Sequence, residues 1–219
     1  MMAGDGPGGA PEGKRIDKVT TSGIFSLDGQ DFEVEDNIWV VGNDEEVFVI
    51  DAAHQAGPIV EAIDGRRVVA IICTHGHNDH INAAVDLAEA VAAPIALHPD
   101  DRMLWDEVHP GRPPDSALAE GDMLRAGGVA LEVIHTPGHT PGGVCLHDCA
   151  GHLFGGDTLF KGGPGATGRK YSDFPTIIES IRSKLLELPE DTIVHPGHGD
   201  DTTIGTESPH LQEWIDRGH

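Results

Sequence analysis

The segment Thr74-His75-Gly76-His77-Asn78-Asp79-His80 limits what this chain can become more than any other. It closes a continuous apolar run, residues 68–74, with the character of a strand buried on both faces. Extended backbone alternates its faces, so His75 and His77 can point the same way into one metal site. A helix is expected next, over 81–92, from the spacing of Ala84, Leu87, Ala88 and Val91. Turning into it re-aims Asp79 and His80 toward a neighbouring position. A surface histidine cluster or a run of turn residues does not account for that density of donors after a buried strand.

Three more candidate ligands occupy similar settings. His139 lies in Thr136-Pro137-Gly138-His139-Thr140-Pro141-Gly142, Asp157 in Gly155-Gly156-Asp157-Thr158, and His198 in His195-Pro196-Gly197-His198-Gly199. Each follows an expected strand and has glycine beside it, where backbone can approach closely. Functional residues gathered at strand ends form one rim of a sheet.

Around these loops the pattern alternates unevenly. Strands are expected over 17–25, 32–41, 46–50, 94–98, 129–135 and 192–195, with a hairpin over 143–147 and 152–155. Helices are expected over 99–108, 176–188 and 208–217. In the second of these, Ile177, Ile181 and Leu185 share a face, and Asp173 before Pro175 is a start signal. Strands dominate each half, so two packed sheets flanked by helices fit best.

Length and charge narrow the function. The chain has 219 residues, enough for one domain with a sizeable core. The Gly- and Pro-rich residues 1–15 read as a disordered tail, leaving a single domain over 16–219. No run approaches the roughly 18–20 apolar residues of a membrane helix, and no secretory signal is seen. A cytoplasmic protein without a membrane partner is expected. With 37 acidic residues against 14 basic ones, the formal net charge is −23, a field that repels nucleic acid. The three cysteines, Cys73, Cys145 and Cys149, are odd in number and include no C-x-x-C pair, so neither a disulfide framework nor a catalytic thiol is expected.

Taken together, His75, His77, Asp79, His80, His139, Asp157 and His198 resemble the H-x-H-x-D-H…H…D…H pattern of the metallo-β-lactamase superfamily. The match runs from the first strands to Gly205. The resemblance implies an α/β fold, an αββα sandwich with the metal site at one edge of its two sheets. It implies that His75, His77 and His139 bind a first metal and that Asp79, His80 and His198 bind a second. The same resemblance implies that Asp157 bridges them, that Asp79 also serves catalysis, and that Asp51 supports the ligands from behind. Imidazole and carboxylate donors suit zinc and also accept iron or manganese, so two divalent ions, zinc foremost, are expected. Two adjacent cations can lower the pKa of a shared water toward about 7, giving a nucleophile at neutral pH. A thiolate leaves without an acid, because a free thiol has a pKa of about 8.5. Thioesters are therefore the easiest substrates for such a site.

Within the superfamily, a carboxylate at the position of Asp157 resembles glyoxalase II, lactonases and related hydrolases, whereas the β-lactamases proper usually lack one there. Gly156-Asp157-Thr158-Leu159-Phe160 and Pro196-Gly197-His198-Gly199 resemble the short bacterial glyoxalase II. Residues 162–168 and the tail around Trp214-Ile215 are similar to actinobacterial hydrolases thought to act with mycothiol. The implied activity is hydrolysis of a small-molecule thioester of a low-molecular-weight thiol. A mononuclear-iron persulfide dioxygenase and a lactonase are the alternatives. The basic residue with which the glyoxalase family grips glutathione falls at Ala166. Lys161, Arg169, Lys170 and Tyr171, in the same loop, are the candidate substrate contacts. His54 is a further candidate near the site, and the remaining histidines read as structural or surface residues.

Overall fold

The computed structural model describes residues 13–27 and 30–218. Most of the disordered tail expected over 1–15 lies outside the described residues. Its last residues do not belong to a tail, because Arg15 opens the first strand and Lys14 pairs with Asp148. The first sheet is ordered β1 (Arg15–Leu27), β2 (Gln30–Gly42), β3 (Glu46–Ile50), β4 (Arg67–Ile72), β5 (Ile95–Leu97) and β6 (Ser116–Ala117). Its first three strands run antiparallel and its last three continue in parallel from β3. The second sheet comprises β7 (Met123–Ala126), β8 (Val129–His135), β9 (Val144–His147), β10 (His152–Gly156), β13 (Ile193–Pro196) and β14 (Thr202–Thr203), after the small pair β11 (Leu159–Phe160) and β12 (Gly163–Pro164).

Strand alternation builds three apolar layers from these sheets. On β2 and β3, Trp39, Val41, Phe48 and Ile50 face the second sheet, where they meet Leu131, Val133, Leu146 and Phe154. Their neighbours Ile38, Val40, Val47 and Val49 face outward under α1 (Ala56–Ile63), α3 (Ala84–Val91) and α4 (Arg102–Val108). Outside the second sheet, Ile134, Leu153 and Val194 pack on α5 (Phe174–Ser180), α6 (Ile204–Glu207) and α7 (Leu211–Arg217). Each fully buried aliphatic or aromatic side chain contributes about 1.5–3 kcal/mol, so the three layers make one cooperative αββα sandwich.

Two expected helices depart from the regular form. The helix expected over 81–92 is two: α2 (Asn78–Ile81) and α3. Between them, the Ala83 N–H donates to Ala52 O, and Asn82 Oδ1 accepts from the His54 N–H, so both are tied to the loop after β3. The helix expected over 176–188 starts at the Asp173 cap, which accepts from the Thr176 N–H, but widens into a π-type turn over Ile181–Leu185. Helix α1 was not expected: Gly57 and Pro58 mask a pattern that rests on Ile59 and Ile63 alone. Among the described residues, no helix is long and apolar enough to cross a membrane.

Candidate metal centre

The parallel and antiparallel strands that carry the ligands end at one rim of the sandwich. Residues 75–80 follow β4, the His139 loop follows β8, Asp157 follows β10, and His198 follows β13. The close approach depends on glycine: a Cβ at Gly197 would lie 2.4 Å from Asp157 Oδ1 and 2.6 Å from His80 Cε1.

The histidines form two groups. In the first, His77 Nδ1 lies 3.1 Å from His75 Nε2 and 2.9 Å from His139 Nε2. In the second, His80 Nε2 and His198 Nε2 stand 3.1 Å apart, with Asp79 Oδ2 at 4.0 and 3.7 Å from them. Asp157 lies between the groups: Oδ1 is 3.4 Å from His80 Nε2, and Oδ2 is 3.5 Å from both His139 Nε2 and His198 Nε2. All seven expected ligands are thus brought together.

Contacts behind the rings set which nitrogen faces the centre. His80 Nδ1 donates to Asp51 Oδ2 at 3.1 Å, His139 Nδ1 to Ala166 O at 2.8 Å, and His198 Nδ1 to Glu35 O at 2.7 Å. Each leaves Nε2 bare toward its neighbours. Asp51 also accepts from the Thr74 N–H and hydroxyl, at 2.7 and 2.8 Å, which fixes the start of the ligand segment.

The electrostatics ask for cations. Burial pushes His75 well down, and burial with the nearby His139 ring pushes His77 down to about 3, so both are neutral donors. Burial disfavours a charged Asp157, yet His80 and His198 outweigh it and hold the carboxyl well below the ordinary range. Burial pushes the Asp79 carboxyl up. Three buried carboxylate oxygens here, Asp36 Oδ1, Asp79 Oδ1 and Asp157 Oδ1, have no hydrogen-bond partner. Bare imidazole nitrogens facing orphaned carboxylate oxygens are the donor set that a pair of divalent cations would complete.

Two residues escaped the sequence reading. Asp101, fully buried, accepts from the Gly76 and Gly142 N–H groups at 2.8 and 2.5 Å and from the Thr140 hydroxyl at 2.7 Å. It clamps the His75–His77 loop to the His139 loop. Asp36, also fully buried, lies on β2 with Oδ1 3.6 Å from His80 Nε2 and 3.5 Å from His198 Nε2. Its one sequence signal is an acidic residue heading the apolar stretch Ile38-Trp39-Val40-Val41. His54 turns its ring onto Asp36.

A hollow opens beside the ligands, lined by Phe25, His77, Arg169, Lys170 and Tyr171 on one side and by His139, Asp157, Ala166 and His198 on the other. Arg169 lies over the Phe25 ring at 5.7 Å, and Lys170 over Tyr171 at 4.5 Å. Lys161 is not brought to it: the side chain is exposed and pairs with Asp200 at 3.1 Å. Cys73 and Cys145 are buried in the packed layers, and burial raises both thiols, Cys145 to about 11.

Residues 33–198 match the family model of the metallo-beta-lactamase superfamily. The chain belongs to that superfamily. It is 33% identical over 190 residues to the hydroxyacylglutathione hydrolase GloC of Haemophilus influenzae, covering 79% of this chain and 90% of that protein. Among solved structures it is similar to TTHA1623 in a di-iron-bound form, with TM-score 0.72 and 33% identity, covering 80% of this chain and 93% of the other. It is also similar to the BLEG-1 B3 metallo-beta-lactamase, with TM-score 0.74 and 31% identity, covering 87% and 98% respectively.

Proposed function

We propose that this chain is a two-metal hydrolase that cleaves thioesters of a low-molecular-weight thiol. The observation that carries the reading is the Asp157 carboxylate, whose two oxygens lie within 3.5 Å of imidazoles from both groups. Two divalent ions held by the seven ligands would supply Lewis acidity toward an acyl carbonyl and a nucleophile at neutral pH.

The chain's own residues do the rest. Asp51 and the carbonyls of Ala166 and Glu35 hold the imidazoles in the tautomer that presents Nε2. Phe25 and Tyr171 offer apolar walls, while Arg169 and Lys170 offer the positive charge that an anionic thiol carrier needs in so acidic a protein. A thiolate leaves without an acid, so the reading asks for no proton donor beside the ligands. Similarity to a hydroxyacylglutathione hydrolase supports the same substrate class.

The test is a substrate panel run on one metal-analysed preparation. S-lactoyl and S-formyl thiol conjugates should turn over far faster than penicillins or cephalosporins at equal concentration. Comparable kcat/KM on a β-lactam contradicts the proposal, as does a preparation that is inactive on every thioester while carrying about two metals per chain, the loading expected of a two-metal site.

A further inference from the structure

The second ligand group contains one carboxylate more than the seven-residue set accounts for. We propose that Asp36 is a direct ligand of the second metal, locked in place by His54. This rests on the two-metal reading above and adds a ligand to it.

The spacing fits coordination. Donors at about 2.0–2.2 Å from one cation stand about 2.8–3.1 Å apart in octahedral and about 3.3–3.6 Å apart in tetrahedral arrangement. His80 Nε2 and His198 Nε2 are 3.1 Å apart, and Asp36 Oδ1 is 3.6 and 3.5 Å from them. One ligand atom from each of Asp36, Asp79, His80 and His198 can be chosen so that all lie within 4.8 Å of one another. Asp36 Oδ1 is also a fully buried oxygen without a hydrogen-bond partner. Such an atom is costly to keep unless something positive completes it.

The other oxygen is held so that Oδ1 has no freedom to turn away. His54 Nε2 lies 2.5 Å from Asp36 Oδ2. The ring's tautomer follows from its second nitrogen: Nδ1 accepts from Asn82 Nδ2 at 3.2 Å. The Asn82 amide is oriented in turn, because its Oδ1 accepts from the His54 N–H at 2.5 Å. Nε2 therefore carries the proton and donates to Asp36. The backbone is shaped for the arrangement. His54 has φ of 57°, and it packs against Gly23, where a Cβ would sit 2.1 Å from the ring's Nδ1. The Ala83 N–H leaves the helical ladder for Ala52 O, next to the point where the Asn82 side chain serves this loop. A chain of four residues, Gly23, Asn82, His54 and Asp36, thus ends on the second metal's position.

Titration of the metal-free protein with cobalt(II), alone and against a chromogenic chelator, reads each equivalent separately by affinity and visible spectrum. In Asp36→Asn the first equivalent should bind as in the parent, which also shows that the protein has folded. The second should weaken more than 100-fold, beyond the roughly 10–100-fold cost of losing a residue behind the ligands, and its spectrum should change. Asp36→Glu should shift the second-equivalent spectrum while retaining binding. His54→Gln should weaken the second equivalent about tenfold without altering its spectrum. A parent-like spectrum for the second equivalent in both Asp36 variants overturns the ligand, and parent-like affinity in His54→Gln overturns the lock. If the parent protein itself binds only one equivalent, the two-metal reading fails and Asp36 fails with it.

Discussion

At the His75–His77–His139 group and at the His80–His198 group the chain presents imidazole to the same rim, but the charge behind each differs. The first group consists of imidazoles, and burial keeps His75 and His77 neutral, the latter down at about 3. In the second, burial also disfavours protonation, yet Asp157 overrides it and raises His198 to about 9, and Asp157 with Asp79 raises His80 well above the ordinary range. Protons collect where cations are wanted. The first group offers imidazole nitrogens alone, whereas the second sets imidazoles among the carboxylates of Asp36 and Asp79. Asp157 spans the two, and so belongs to neither alone.

The most damaging way to break the contrast is therefore to remove the shared carboxylate. Asp157→Ala should lower second-metal occupancy and reduce kcat on a thioester by about 10³-fold, or about 4 kcal/mol of transition-state stabilisation. Metal analysis and steady-state kinetics on one preparation check both effects. A fully loaded, fully active variant would mean that the two groups work independently.

A second variant sharpens the contrast from the other side. Asp101 touches no ligand ring, but it holds the Gly76 and Gly142 N–H groups that frame the first group. Asp101→Ala should weaken the first metal about 10–100-fold. It should also cost about 2–4 kcal/mol in stability, because two buried N–H groups lose their acceptor. Denaturant melts of the metal-free protein isolate the stability effect, and chelator competition isolates the affinity. Equal weakening of both metals would show that Asp101 braces the rim as a whole.

The same contrast explains what could be read from the sequence. The neutral group and most of the anionic one are local: His75, His77, Asp79 and His80 come from one loop, and His139, Asp157 and His198 each follow a strand flanked by glycine. Strand alternation likewise makes the sandwich legible, since Trp39 and Ile38 part to opposite faces as the period of two requires. Asp36 and Asp101 were not legible as parts of the site, and neither was the contact through which His54 serves it. Each acts through a partner distant in the chain: His54 Nε2 meets Asp36 across 18 residues, and Asp101 meets Gly142 across 41. No spacing rule links such pairs, because sheet packing alone brings them together. The break between α2 and α3 was hidden for the same reason, the apolar period running on while Asn82 and Ala83 bind a loop from elsewhere.

The smallest expected effect concerns the mouth of the hollow, where the substrate's carrier, not its acyl group, meets the protein. Here the structure separates three basic candidates that share one loop in sequence. Lys161 is spent on Asp200 at the surface, whereas Arg169 and Lys170 line the hollow beside His77. Lys170 also faces Glu107 at 3.6 Å, an exposed pair worth little by itself. Both line the mouth of the hollow, and as grips on the carrier they would contribute to ground state and transition state alike. Replacing Arg169 and Lys170 together by Ala should therefore raise KM for an anionic thioester about tenfold, or about 1.4 kcal/mol, and leave kcat nearly unchanged. Ala166 stands where the resemblance places a basic grip, and its carbonyl serves His139 instead. A carrier with fewer carboxylates than glutathione, such as mycothiol, should thus saturate the parent at lower concentration and lose less in the double variant. Tight, efficient use of S-lactoylglutathione by the parent would show that the mouth supplies enough charge as built. A fall in kcat matching the rise in KM would move Arg169 or Lys170 from the mouth into the chemistry at the ligand rim.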